Sequence, residues 1–536
     1  MLRQMATPLL AVALLLRRIS AAPVTPLEAD ILAANWNITT LRTQLAPSWS
    51  TTSPIRSTAG ILWTAVTTLS LCVYTVIHVN VPLRSETRWK FYRRKAWWVL
   101  AAILAPEYAL WAAFEQWDSA RLLRNKLQKY KPEERNETGP VEKEGQKMQE
   151  EKMNSGWSYC FYVVMGGLTV NVSAINPEFQ YMTVTPAGLC LLAEYSRLPH
   201  VSRKSIKDRS KADGLAKLLV CVQVAWLIIQ SIERAARDLP IALLEIHVLA
   251  HVACALLLYG LWFKKPLDIH EATMVNSSGF DDELALMLLI SQASEENRKR
   301  WRDEHKANQA ITAENWLKLL TEDVIMVGEQ RGQPQSNKTC GDQPHVDEMM
   351  KRAKRAAEKL LEARTRNDPA SNTSQWFEES NSSFLVYRAK DVLLQTLLEH
   401  FNLISPRRQL FPLHFDSHFL ISSAMVCLAA VYAAIHLAAW RYHFPTDTEM
   451  WLWRASSLTI AGVLPAILFL ITLAVVMERM GMTLYTTQVT LFICGLLVLV
   501  YVVARFFLFI ESFISLRQMP IGVFVTMQWS DYIPHV

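Results

Sequence analysis

The strongest constraint on this chain is a series of long apolar stretches that carry almost no charge. Gly60–Val79, Gly214–Ile232, Ile241–Phe263, His418–Trp440, Ala455–Met477 and Leu484–Ile510 are separated by polar blocks. As helices, each matches the ~30 Å hydrocarbon core of a bilayer. A soluble fold spreads its apolar residues in short periodic stripes. Here 51% of 536 residues are hydrophobic and they sit in blocks, which is the membrane pattern. The expected fold is an all-α polytopic membrane protein with about seven hydrophobic helices. A small β-hairpin and a helical cytosolic insert are expected beside them.

Charge distribution supplies the sidedness. The net charge of +6 is modest, and the basic residues cluster beside the apolar blocks. That is a topology signal and excludes a nucleic-acid partner. Arg84–Lys95 is a short, strongly basic loop, and Arg203, Lys204, Lys207, Arg209 and Lys211 precede the third block. Lys264 and Lys265 follow the fourth block, and Arg407 and Arg408 precede the fifth. All four positions read as cytosolic. Trp89, Trp97, Trp98, Trp440, Tyr442, Trp451 and Trp453 lie near block ends, where amphipathic rings prefer the headgroup zone.

The resulting division is as follows. Residues 1–22 have the pattern of a signal peptide, with Arg3, an apolar run and small residues, although Arg17 and Arg18 are atypical. Residues 23–59 are then extracytoplasmic, and Asn37 of Asn37-Ile-Thr39 becomes a glycan acceptor. Residues 60–114 hold two membrane helices, 115–213 a cytosolic linker and small subdomain, and 214–263 a helix hairpin. Residues 264–416 form a polar, cytosolic insert, 417–511 the last three helices, and 512–536 an external tail. Asn276, Asn337, Asn372 and Asn381 are sequons within the insert, and their use would place it outside. Such a protein belongs to the secretory pathway or plasma membrane.

The block Ala96–Phe114 is irregular, with Pro106 and Glu107 at its middle and basic residues on both sides. It fits a kinked re-entrant hairpin or a crossing that returns near Trp157–Val172. Farther on, Trp157–Val172 and Phe179–Thr185 read as a β-hairpin. Thr185-Pro186 starts a helix to Leu198. In the insert, helices are expected from Asp281 to about Asn308, from Thr312 to Met326, over Pro344–Arg366 and over Phe384–Leu403.

Polar residues inside apolar helices are the functional candidates, because burying ionisable groups in lipid is costly. Glu107 is either a proton or cation site or a side chain that fills the carbonyl gap left by Pro106. Glu245, His247 and His251 share the fourth block. Two histidines four apart lie on one face, so a proton relay, a metal ligand pair or structural hydrogen bonds all fit. The order is not HExxH, and two ligands do not make a metal site. His78 and His436 read as interfacial. Arg505 reads as snorkelling, with Glu511 as an alternative partner. On Pro344–Arg366, Lys351, Arg352, Lys354, Arg355 and Lys359 lie opposite an apolar stripe of Val346, Met349, Met350, Ala353, Ala357, Leu360 and Leu361. That pattern fits membrane-surface or protein docking, or a helix packed on the insert.

No cofactor is implied. Of the eight cysteines, Cys160, Cys190 and Cys340 lie outside the apolar blocks, where a disulfide is one option. No CxxC or zinc spacing occurs. No nucleotide loop, nucleophile elbow or kinase signature occurs either, so nothing points to an enzyme.

Several short stretches resemble one family. They are Gly60-Ile-Leu-Trp63, Leu104-Ala-Pro-Glu107, Met165-Gly-Gly167, Leu198–Lys217, Leu244–Val252, Leu261–Ile269 and Trp529–His535. The family is a group of uncharacterised multi-pass membrane proteins of filamentous fungi. The likeness runs from the first block to the C-terminus and skips the central insert. It implies the membrane fold and no chemistry. The expectation is a membrane-embedded scaffold or sensor that meets the bilayer and a cytosolic protein. A proton- or cation-coupled transporter using Glu107 and the Glu245/His247/His251 helix is the alternative.

Overall fold

A computed structural model describes residues 26–47, 49–50, 56–82, 86–129, 156–175, 180–195, 197–199, 201–209, 214–276, 279–292, 344–367, 386–388, 415–479 and 484–525. The signal-peptide pattern, the helix expected at Thr312–Met326, Cys340 and the sequons at Asn337, Asn372 and Asn381 lie outside these residues.

The chain begins with two short helices, α1 (Pro26–Ala33) and α2 (Ile38–Thr43). Asn37 caps α2 by accepting from the Thr39 and Thr40 amides at 3.0 and 3.3 Å. Then come α3 (Thr58–Val76), α4 (Arg88–Leu104) and α5 (Pro106–Lys129). Helix α6 (Trp157–Val164) leads to β1 (Leu168–Asn171) and β2 (Tyr181–Val184). Next are α7 (Pro186–Glu194), α8 (Arg203–Arg209), α9 (Gly214–Ala236) and α10 (Leu243–Leu261). The segment after them holds β3 (Thr273–Val275), α11 (Asp281–Gln292), α12 (Pro344–Asn367) and β4 (Val386–Arg388). Three long helices close the chain: α13 (Phe415–Leu437), α14 (Asp447–Arg479) and α15 (Leu484–Ile514).

Five segments are long and apolar enough to cross a membrane: Thr58–Val76, Leu218–Ala236, Leu243–Leu261, Asp447–Ala474 and Gln488–Arg517. The pair α4 and α5 adds a sixth only if it counts as one broken span, and it is bent by 118°. In α13 the described apolar part is the shorter Val426–Leu437. Among the described residues there are thus five such segments, or six with the bent pair, where about seven were expected. Exposure follows the lipid pattern. Phe469, Leu491 and Phe492 are each about two-thirds exposed, at 67%, 67% and 68%. Apolar surface on that scale is unstable in water.

The chain divides into two compact units. One comprises Met1–Ser70, Cys221–Ala250 and Ala430–Val536. In it, α14 and α15 pack along each other. The tail after α15 is held between two other segments. Ala46 donates to Met519 O at 2.9 Å, Ile521 to Gln44 O at 2.9 Å and Arg56 to Phe524 O at 3.2 Å. Arg234 then donates to the Gly522, Val523 and Val525 carbonyls at 2.6, 2.8 and 3.0 Å. Only glycine fits at 522, because a Cβ would lie 2.6 Å from Leu41 O and 2.8 Å from Pro240 Cδ.

The second unit comprises Leu71–Val220 and His251–Ala429. Its centre is a four-stranded sheet in the order β3-β1-β2-β4. Strands β1 and β2 are antiparallel, with Thr169 opposite Thr183. Strand β3 joins β1 in parallel and β4 joins β2 in antiparallel fashion. Helices α5, α6 and α7 pack together, and α12 lies on α11. Thr185 caps α7 through the Gly188 amide at 3.1 Å, and Pro186 takes the first helical position.

Several sequence expectations are corrected here. The hairpin exists, but its first half, Trp157–Val164, is helical and buries five of eight side chains. Apolarity on all sides suits a buried helix as well as a strand, so periodicity could not separate them. The start of the helix expected at Phe384–Leu403 is strand β4 instead, because it completes the ladder of β2. Residues 389–403 lie outside the described set. The basic loop Arg84–Lys95 is helical from Arg88, capped by Thr87. Cys160 and Cys190 are buried free thiols.

Candidate functional site

The candidate site is built on α10, the most protein-lined of the five spanning candidates, with 67% of its window buried. Its first turn belongs to the first unit. Glu245 is 3% exposed. It sits at the third helical position and accepts from the Ala242 amide at 3.1 Å, half of a capping box. Its two oxygens take both terminal nitrogens of Arg56, one at 3.2 Å and one closer, as a bidentate ion pair. Arg234 lies within electrostatic reach of both. The carboxylate is thus enclosed by two cations and a helix N-terminus.

His247, one turn on, faces a different set of partners. Its Nδ1 is 3.2 Å from Nε2 of His436, and His436 Nδ1 is 3.0 Å from the Tyr432 carbonyl. A carbonyl only accepts, so His436 carries its proton on Nδ1. In the neutral pair His247 Nδ1 then donates to His436. Trp453 donates to the His436 carbonyl at 3.1 Å. Arg505 lies over the Tyr432 ring, 3.8 Å from its centroid, and donates to the Tyr501 hydroxyl at 3.0 Å. His78 and His436 are buried, at 4% and 0% exposure. Arg505 does not snorkel, because a stacked ring and a hydroxyl take the place of water.

In the second unit His251 donates Nε2–H to the Ile103 carbonyl at 2.7 Å. That bond has a clear cause. Pro106 has no amide hydrogen and the backbone turns at Ala105, so carbonyls at the end of α4 lose their intrahelical partners. His251 supplies a donor to the Ile103 carbonyl. Glu107 is 4% exposed in the first turn of α5, where the helix N-terminus favours a carboxylate. The two histidines of α10 therefore share a face without sharing a ligand. No group of three or more His, Cys, Asp or Glu is arranged for a metal ion among the described residues.

In the sequence Lys265 stood out only as a topology signal beside Lys264, not as a site residue. It is 5% exposed, whereas Lys264 beside it is exposed. Its ammonium contacts the His78 carbonyl, Asn80 Oδ1 at 3.3 Å and Gln116 Oε1 at 2.7 Å, and lies 4.5 Å from the centroid of Trp262. Nothing local distinguishes the two lysines; only the fold decides which turns inward. Burial pushes the Cys160 thiol up to about 12, so it is not a nucleophile.

The basic residues of α12 are only partly available. Met349, Ala353, Ala357 and Leu360 are buried, so the apolar stripe is covered. Arg355 pairs with Asp282 at 2.8 Å, Arg352 with Glu348 and Asp281, and Lys359 approaches Asp282 at 4.0 Å. Lys351 and Lys354 are exposed.

A search of curated proteins and a search of solved structures each found no match. One family description, "Family of unknown function (DUF8562)", matches residues 34–300 and 411–536. Besides residues 1–33, the match skips 301–410, which lies inside the 264–416 insert. With most of its length matched, this chain belongs to that family of unknown function.

Proposed function

We propose that the protein is an integral membrane scaffold or sensor with a cytosolic domain built from the segments between its spans. The observation that carries this reading is the four-stranded sheet. Two of its strands come from the 115–213 segment and two from the 264–416 insert. Two polar segments separated by two apolar helices thus form one folded body, as a signalling or docking domain requires. Two charged groups of the apolar helices are meanwhile engaged in structural contacts: Glu245 with Arg56, and Arg505 with Tyr432 and Tyr501. The charge pattern assigns 23–59, the turn after α9 and the C-terminal tail to the extracytoplasmic side. These three segments pack on one another, which supports the assignment.

Crosslinking and pull-down with intact protein, compared with a variant deleted for 344–367, test the role. Partners lost on deletion support a scaffold; an unchanged partner set refutes it. Engineered sequons in each loop test the sidedness. A proton-coupled transporter is the second reading, favoured by the His247–His436 hydrogen bond inside apolar helices. Flux into vesicles that survives both Glu107→Gln and His247→Ala removes it.

A further inference from the structure

We propose that α4 is a one-leaflet anchor whose outward face binds anionic phospholipid headgroups. The inference rests on the membrane reading above and adds a ligand class to it. Helix α4 has two unlike faces. Its inward basic side chains are satisfied: Arg94 pairs with Glu86 at 3.1 Å, and Lys95 with Asp268 at 2.8 Å. Arg88, Lys90 and Arg93 are exposed, with no ion pair among the described residues. Interleaved with them are Trp89, Tyr92 and Trp97, exposed by 74%, 56% and 57%. Leu100 continues the same face toward the apolar end.

Length decides how deep this face can go. The uncharged part of α4, Ala96–Leu104, spans about 14 Å as a helix. That is less than half of ~30 Å of hydrocarbon. At Ala105 the direction changes by 118°. Helix α5 then carries buried Glu115 and Asp118 and packs on α6 and α7. The pair therefore dips into one leaflet and returns. In that pose the three cations lie at phosphate depth, the rings in the interface, and Leu100 among acyl chains. A cytosolic leaflet supplies the anionic lipids. Rings at every turn of the same face favour a lipid surface over an acidic peptide.

The test uses full-length protein reconstituted in vesicles doped with either brominated phosphatidylserine or brominated phosphatidylcholine. Tryptophan quenching reads contact. Wild type should be quenched more strongly by the anionic lipid, and the preference should weaken with salt. The R88Q/K90Q/R93Q variant should lower the preference by roughly a hundredfold at low salt, about fivefold per charge. The R88K/R93K variant should keep it. Equal quenching by the two lipids in wild type, or full preference in the triple glutamine variant, overturns the inference. Alkaline carbonate extraction separates the two failures. Release from vesicles overturns the membrane reading itself, whereas retention with equal quenching overturns only the lipid assignment.

Discussion

The Arg56–Glu245 pair makes a quantitative prediction because its surroundings are asymmetric. Glu245 is 3% exposed and Arg56 15%. Removing one member of a buried pair strands the other and costs ~3–5 kcal/mol. Arg234 breaks the symmetry. With Arg56→Met, Glu245 keeps Arg234 as a countercharge, so the cost should fall toward ~2–3 kcal/mol. With Glu245→Gln, Arg56 loses its ion-pair partner, Arg234 keeps Glu233 within reach, and the Ala242 amide loses a charged acceptor. That cost should reach the upper end, ~4–5 kcal/mol. Together the substitutions should cost less than their sum, with a coupling of ~2–3 kcal/mol. Unfolding of the purified protein in detergent measures all four corners of the cycle. Costs that add within ~0.5 kcal/mol would refute the pairing. Equal costs for the two single variants would refute the role given to Arg234.

Three further outcomes follow from single contacts. Gly522→Ala forces a methyl group against the Leu41 carbonyl and Pro240, and should destabilise by about 2 kcal/mol; faster hydrogen exchange over 519–525 is the check. His251→Leu leaves the Ile103 carbonyl without its donor and should cost ~1–3 kcal/mol, with His251→Gln restoring part of it; wild-type stability in the leucine variant would contradict the account of the α4 break. The Arg355 hydrogen bond holds the Asp282 carboxyl below its ordinary 3.8. Its contribution is therefore complete above about pH 4 and is lost as pH falls through the lower folded value. Proteolysis of α12 should accelerate only below about pH 4, and Asp282→Asn should remove that acid dependence.

Much of the fold was legible because helix length and apolarity are simple signals summed along a short stretch of chain. Helices α3, α9, α10, α14 and α15 all fall where the apolar blocks lie. Caps with a local mechanism were legible too, such as Thr185 before Pro186. Short buried elements were not. Trp157–Val164 and Val386–Arg388 owe their states to neighbours far along the chain, and their composition fits helix and strand alike. The site shows the same division. Glu245, His247 and His251 stood out as polar residues in an apolar block. Their partners Arg56, His436 and Ile103 lie 189, 189 and 148 positions away.

By itself the sequence determined where helices can replace water with lipid, because hydrophobic length is a local property summed along about twenty residues. Tertiary structure alone decided what each polar side chain does. It turned Lys265 inward and Lys264 outward, set His251 on a carbonyl freed by the turn at Ala105, and gave Glu245 two cations. The physical reason is that a buried charge or hydrogen-bond donor must be satisfied by whatever the fold brings near it, and that neighbour is rarely close in sequence.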